Sequence, residues 1–64
     1  QSIDDFINNL NLSLKESSES EYWIELLFET DFITKQQFDS LIGDCRELIK
    51  LLTSIIKTSR KEGK

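Results

Sequence analysis

The sequence FDSLIGDCRELIKLLTSII, residues 38–56, decides the fold. Its apolar residues recur at intervals of three, one and three positions, which is the spacing of one face of an α-helix. The members of this face are Phe38, Leu41, Ile42, Cys45, Leu48, Ile49, Leu52, Ile55 and Ile56. Leu51 widens the face beyond the seam of a two-stranded coiled coil. The pattern predicts a bundle helix over about residues 35–59 that contacts more than one neighbouring helix.

A second apolar series of the same spacing lies upstream and predicts a first helix over about residues 3–29. Its members are Ile3, Phe6, Ile7, Leu10, Leu14, Ile24, Leu27 and Phe28. Ser2 is a capping residue for its start, and Thr34 with Gln37 forms a capping box for the second helix. Residues 30–34 are therefore predicted to form a short turn, which places the helices antiparallel. The predicted fold class is all-α, an antiparallel helical hairpin forming part of an up-and-down four-helix bundle.

Size and composition predict a single domain, 1–64, that ends in a basic tail over residues 60–64. The 64 residues are 38% hydrophobic and carry a net charge of −4. One core of this size supplies only roughly 3–5 kcal/mol, so partners are expected. The longest apolar runs are triplets, and no secretory signal is present, so we expect a cytoplasmic protein with no membrane contact. Because the chain opens at Gln1 inside a helical pattern, we also expect a preceding segment.

Residues 22–28, YWIELLF, are apolar on nearly all sides of the first helix. One neighbouring helix covers only one side of such a segment. Patches of this kind are covered by another subunit more often than by an aromatic ligand. We predict that the partner is a second copy of the chain or the absent N-terminal half of the bundle. The predicted partner contacts are Tyr22, Trp23, Leu26, Phe28, Leu51, Leu52 and Ile55.

The residue types favour association over catalysis. Cys45 lies on the apolar face of the second helix, and the chain has no histidine to act as its base, so a buried small hydrophobic residue is predicted. Glu21, Glu25 and Glu29 share one helix face, but carboxylate metal centres in helix bundles add histidine ligands. We expect no catalytic residue, no cofactor, no metal site and no enzyme activity.

The first helix is polar where its apolar face should continue, at Ser17 and Glu21. Two interpretations stay open at this polar waist. It is either a buried polar layer that fixes register or oligomeric state, or an exposed waist that faces solvent. Folding the chain about residue 32 also predicts that Arg46 pairs with Glu16 and Glu19.

Basic residues are concentrated near the end of the chain. Lys57, Arg60 and Lys61 are the predicted contacts if nucleic acid is bound, because an oligomer would multiply them into a ring of charge. The alternative is a solubilising tail that complements the helix dipole, which the sequence pI of about 4.6 favours. Acidic residues on the same helix argue against a membrane surface.

Residues 19–34, ESEYWIELLFETDFIT, followed by 38–45 and by LTSIIK at 52–57, resemble the bacterial four helix bundle protein family. That family includes proteins encoded by intervening sequences within large-subunit ribosomal RNA genes. Accessory proteins of diversity-generating retroelements are similar to it in fold. The resemblance runs from Phe6 to about Arg60 and corresponds to the second half of the family.

This resemblance implies the third and fourth helices of an up-and-down bundle, assembly into ring-like pentamers and no established catalytic activity. The retroelement relatives bind nucleic acid and a reverse transcriptase through basic surfaces, of which this acidic segment would supply few residues. Lys15 and Glu16 stand where many members carry small residues.

The function expected first is a non-catalytic helical interaction or oligomerisation module. The alternative is a nucleic-acid-associated accessory protein that binds RNA or DNA as an oligomer. A mass above that of the monomer favours the first, and a steep salt dependence of nucleic-acid binding favours the second.

Overall fold

The computed structural model describes the backbone of residues 2–62 and the side chains of residues 2–60. Two long helices, α1 (Ile3–Glu29) and α2 (Lys35–Glu62), form an antiparallel hairpin of 47 × 15 × 13 Å. The all-α class predicted from the apolar spacing is confirmed. Neither described helix contains an apolar stretch long enough to cross a membrane.

The limits of α1 coincide with the predicted residues 3–29, whereas α2 continues three residues past 59. Residues 60–62, predicted as part of a basic tail, are therefore helical. No glycine or proline interrupts the sequence between Gly43 and Gly63, and Lys and Arg near a helix end stabilise the helix dipole. Residues 63 and 64 of the predicted tail lie outside the described residues.

Side-chain capping begins both helices as the sequence predicts. The Asp5 N–H donates to Ser2 Oγ over 3.1 Å at the start of α1. At the start of α2 the Gln37 N–H donates to Thr34 Oγ1 over 3.1 Å, and the Thr34 N–H donates to Gln37 Oε1 over 2.9 Å. The second arrangement is a complete capping box, which satisfies amide groups that have no partner within the helix.

The turn begins with a Schellman motif at the end of α1, after the capping residue Thr30. The Phe32 N–H donates to the Leu27 carbonyl over 2.9 Å, and the Asp31 N–H donates to the Phe28 carbonyl over 3.1 Å. Asp31 has a φ of 65°, the left-handed conformation that this motif requires and that glycine adopts most easily. The motif reverses the chain direction within a few residues.

The two helices meet along a seam formed by one side of each helix. The seam consists of side chains that are only 5–9% exposed, namely Ser17, Ile42, Cys45, Leu52 and Ile56. In the described part of the chain no large side chain falls below 2% exposure. A hairpin of two helices thus leaves much of its apolar surface uncovered.

Candidate partner-binding face

Ser17 and Cys45 fix the centre of the seam. The Cys45 Sγ donates to the Ser17 carbonyl oxygen over 3.1 Å, and both residues are buried. Small side chains on both helices allow this contact between a thiol and the opposite backbone. Ser17 is therefore the buried part of the polar waist, and Cys45 is the buried residue that its position predicted.

Near the turn, aromatic rings hold the helices together. Phe28 stacks on Phe38 with the ring centroids 4.6 Å apart and the planes at 24°. Aromatic pairs of this geometry contribute about 0.5–1.5 kcal/mol beyond the area that they bury. Phe28, predicted as a partner contact, is thus half-buried within the hairpin itself.

Arg46 pairs with Glu21 and Glu25 on one side of the seam, over 3.5 and 3.9 Å. The prediction that Arg46 meets Glu16 and Glu19 was wrong. Side chains of a helix lean toward its amino end. Arg46 on α2 therefore leans toward the turn, which brings it to residues nearer the end of α1. Glu21 of the polar waist lies at the edge of the seam, with its side chain 30% exposed.

Large apolar side chains remain open to solvent on the other side of the seam. We name this surface the apolar face and define it by six side chains that are 40–57% exposed, namely Leu12, Trp23, Leu27, Leu41, Leu48 and Leu51. Exposed apolar surfaces along helices are typical of interaction sites.

Helical geometry places the six side chains on one side of the hairpin. The ion pairs of Arg46 mark the opposite side. A helix rotates by about 100° per residue. The residue one position after a seam residue therefore faces one side of the hairpin, and the residue three positions after it faces the other side. Leu48 is three positions after Cys45, and Arg46 is one position after it. Leu27 stands in the same relation to Ile24 on α1, where Glu25 follows.

The structure divides the predicted partner contacts among three places. Trp23 and Leu51, each 57% exposed, belong to the apolar face, and the half-buried Ile55 continues the line of Leu51 on α2. Leu52 is 8% exposed and lies in the seam. Phe28 lies in the aromatic stack described above.

Tyr22 lies away from the apolar face on α1, whereas Leu26 follows Trp23 by three positions and lies at the outer edge of that face. Tyr22 is 59% exposed and meets the edge of the neighbouring Trp23 ring at a centroid distance of 5.3 Å. Leu26 is half-buried. The sequence analysis missed Leu41 and Leu48 as exposed residues. Their spacing of seven positions, continued by Ile55, forms a second apolar line beside the seam, in which Cys45 and Leu52 have the same spacing.

The basic residues of α2 lie on the side opposite to the apolar face. Arg46, Lys50, Lys57 and Arg60 follow one another at helical spacing, and all four are exposed. Between them a shallow groove of about 350 Å³ is lined by Ile49, Lys50, Thr53, Ser54 and Lys57. The side chain of Lys61, also predicted as a nucleic-acid contact, lies outside the described residues.

Two antiparallel helices with one open apolar side define an all-α helical hairpin, the class of protein to which the chain belongs. The sequence profile of the 23S rRNA-intervening sequence proteins matches residues 1–54. The chain therefore belongs to the 23S rRNA-intervening sequence protein family. This result confirms the resemblance drawn from its sequence.

The chain is also similar to a crystal structure from Bacteroides thetaiotaomicron VPI-5482, a protein with unknown function from the S23 ribosomal protein family. The two are 56% identical with a TM-score of 0.86, and the match covers 89% of this chain and 51% of that chain. The chain thus spans about half the length of this relative. No curated protein sequence matches it.

Proposed function

We propose that the chain is a non-catalytic helical interaction module that completes a four-helix bundle through its apolar face. The covering helices come from a second copy or from further helices of its own chain. A hairpin has one seam, and each of its helices needs a second neighbour to bury a broad apolar surface. The solved relative supports the proposal, because about half of that chain lies outside the match.

The single observation that carries the proposal is the exposure of the apolar face. Leu48 and Leu51 are 46% and 57% exposed in the middle of a helix whose neighbouring seam residues, Cys45 and Leu52, are buried. Burying apolar area contributes about 25 cal/mol per Å². Covering these side chains therefore stabilises a chain whose own core is small.

The experiment is a measurement of mass by light scattering at about 100 μM chain, in low and in high salt. We expect a mass above the 7.5 kDa of the monomer, most clearly in high salt, because salt screens the repulsion between acidic chains. Leu48→Gln should shift the chain toward the monomer. The control variant Tyr22→Gln alters a side chain that is 59% exposed, against 46% for Leu48, and that lies away from the apolar face; it should leave the mass unchanged.

Two results together would contradict the proposal. The first is a folded monomer in both salts whose mass does not respond to Leu48→Gln. The second is an emission maximum of Trp23 that stays at the wavelength of a solvent-exposed tryptophan when amphipathic helical peptides are added. Circular dichroism of each variant separates loss of association from loss of folding.

A second candidate function is nucleic-acid binding, and the placement of the cations favours it. Residues 48–61 contain no acidic residue, and Lys50, Lys57 and Arg60 lie exposed along one side of α2. Thr53 and Ser54 line the groove between them, and the Thr53 hydroxyl donates to the Ile49 carbonyl over 2.8 Å. A row of cations beside a shallow groove suits a phosphate backbone.

Binding to a single-stranded RNA at several salt concentrations tests this second candidate. A double variant, Lys57→Ala with Arg60→Ala, should weaken binding and reduce the slope of log affinity against log salt by about 1.4, since each lost contact removes about 0.7. Lys35→Ala removes a cation that pairs with Asp39 beside the turn and serves as the control. Absence of binding at low salt would exclude this function.

A further inference from the structure

We infer that the apolar face docks a basic amphipathic helix, one whose apolar residues are flanked by lysine or arginine. The inference rests on the proposed function and specifies the chemistry of the partner. It comes from the distribution of charge around the hairpin, which differs between the two sides of the seam.

Among the described side chains, the charged residues that stand between members of the apolar face on the same line along either helix are acidic. On α2, Asp44 stands between Leu41 and Leu48, three positions from one and four from the other. On α1, Glu16 follows Leu12 by four positions and precedes Trp23 by seven. Both carboxylates are exposed. Asp5 lies in line with them nearer the amino end of α1, seven positions before Leu12.

The cations of the described side chains lie elsewhere. On α2, Arg46, Lys50, Lys57 and Arg60 occupy the side on which Arg46 reaches Glu21, and Lys35 pairs with Asp39 beside the turn. On α1, the exposed Lys15 follows Leu12 by three positions and lies about 100° from Glu16, toward the outer side of the helix. Among the described side chains, neither Glu16 nor Asp44 forms an ion pair.

At low salt, these carboxylates disfavour three kinds of occupant. A second copy that docks through the same face brings Glu16 and Asp44 toward like charges, which is unfavourable and also opposes rapid association. Nucleic acid and anionic membranes meet the same repulsion. A helix with Lys or Arg beside its apolar residues instead gains a pairing partner at both edges, as flanking charges do in coiled coils.

The size of the face also suits a helical partner. The six side chains of the face lie between Leu12 and Leu27 on α1 and between Leu41 and Leu51 on α2. A helix rises 1.5 Å per residue, so the face extends about 22 Å along the hairpin. A partner helix of about 15 residues spans this length.

Two synthetic helical peptides of about 28 residues provide the test. Both carry Leu at the two apolar positions of each heptad, and they differ in having Lys or Glu at the flanking positions. Trp23 is the only tryptophan and lies on the apolar face, so its emission reports docking directly. We expect a blue shift with the Lys peptide at concentrations at least tenfold lower than with the Glu peptide. A Lys peptide with its residues in scrambled order should give no shift.

Charge reversal on the chain identifies the carboxylates responsible. A double variant, Glu16→Lys with Asp44→Lys, should lose the preference for the Lys peptide and bind the Glu peptide at least tenfold more tightly than the native chain does. Glu29→Lys makes the same change at an exposed position on the other side of α1 and should keep the preference within about twofold. If the double variant loses helicity, Glu16→Gln with Asp44→Asn tests the same point, because neutral flanks should equalise the two peptides.

The outcomes separate this inference from the proposed function. Equal binding of both peptides by the native chain would overturn the inference and leave the apolar face as an interaction site. An unchanged preference in the double variant would likewise overturn it. If neither peptide shifts the emission of Trp23 and the chain remains a monomer at high salt, the proposed function fails as well.

Discussion

The two apolar stripes of α2 have similar side chains and opposite environments. Ile42 and Leu52 in the seam are 5% and 8% exposed, whereas Leu48 and Leu51 on the apolar face are 46% and 57% exposed. Leu51 and Leu52 are neighbours in sequence, yet α1 covers only one of them. The hydrophobicity of a side chain thus indicates that its burial is favourable. The placement of the neighbouring helix determines whether the side chain is buried within the chain.

Leu52→Ala should have the largest effect on folding. Truncating a buried leucine costs about 2–5 kcal/mol, which is comparable to the roughly 3–5 kcal/mol that a core of this size supplies. We therefore expect loss of most of the helical signal in circular dichroism at low concentration. The matched change Leu51→Ala removes the same atoms from an exposed position and should change the free energy of unfolding by no more than about 0.5 kcal/mol.

The paired variants can break the comparison. Equal losses of helicity in Leu51→Ala and Leu52→Ala would show that the apolar face is already covered at low concentration, and that the isolated hairpin is not the folded unit. Urea titrations followed at two chain concentrations distinguish the two cases, because only an associated chain changes its midpoint with concentration.

Thiol labelling of the native chain sharpens the same comparison. Cys45 is the only cysteine and is buried against Ser17, so it reacts only when the hairpin opens. A stability of roughly 3 kcal/mol slows labelling about 100-fold relative to the unfolded chain. A thiol placed on the apolar face by Leu48→Cys, with Cys45→Ala, should react at nearly the unfolded rate. Rapid labelling of native Cys45 would contradict the seam.

The helices and the turn were predictable from local chemistry. The three-and-four spacing of apolar residues defined both helices, and the capping box at Thr34 and Gln37 is a contact between near neighbours in sequence. The Schellman motif lacks its usual glycine, because Asp31 takes the left-handed position. The position of the turn was therefore predictable from the sequence, whereas its hydrogen-bonding motif was not.

The candidate site was only partly predictable because it depends on which residues meet across the seam. Leu51 and Leu52 are the same residue type at adjacent positions, so the sequence does not show which of them is buried. The register of the two helices around Ser17 and Cys45 decides this. Arg46 was assigned the wrong acidic partners because the fold was treated as a flat hairpin, without the lean of helical side chains. The acidic residues beside the apolar face could be recognised only from the orientation of both helices.

Asp31→Gly should produce a smaller effect and leave both apolar stripes intact. Asp31 has a φ of 65°, which costs an L residue more than it costs glycine. We expect the free energy of unfolding to rise by about 0.5–1 kcal/mol. In the middle of α2 the opposite exchange, Gly43→Ala, should also stabilise by up to about 1 kcal/mol, because a Cβ there meets nothing within 4 Å.

Measuring both variants by chemical denaturation tests whether the gain depends on backbone conformation. A loss of stability in Asp31→Gly would contradict the Schellman motif. A chain stabilised at these two positions also provides a firmer background in which Leu51→Ala can be examined for association alone.

Arg46→Ala should have the smallest effect, and it tests whether the ion pairs or the seam determine the register. Arg46 is 57% exposed and meets Glu21 and Glu25 at 3.5 and 3.9 Å, so solvent screens both pairs. Exposed pairs of this kind contribute about 0–1 kcal/mol. We expect a loss within that range that disappears at 1 M salt, where the screening length falls to about 3 Å. A larger loss, or one that persists in high salt, would mean that Arg46 holds the helices in register, whereas a small one leaves that role to Ser17 and Cys45.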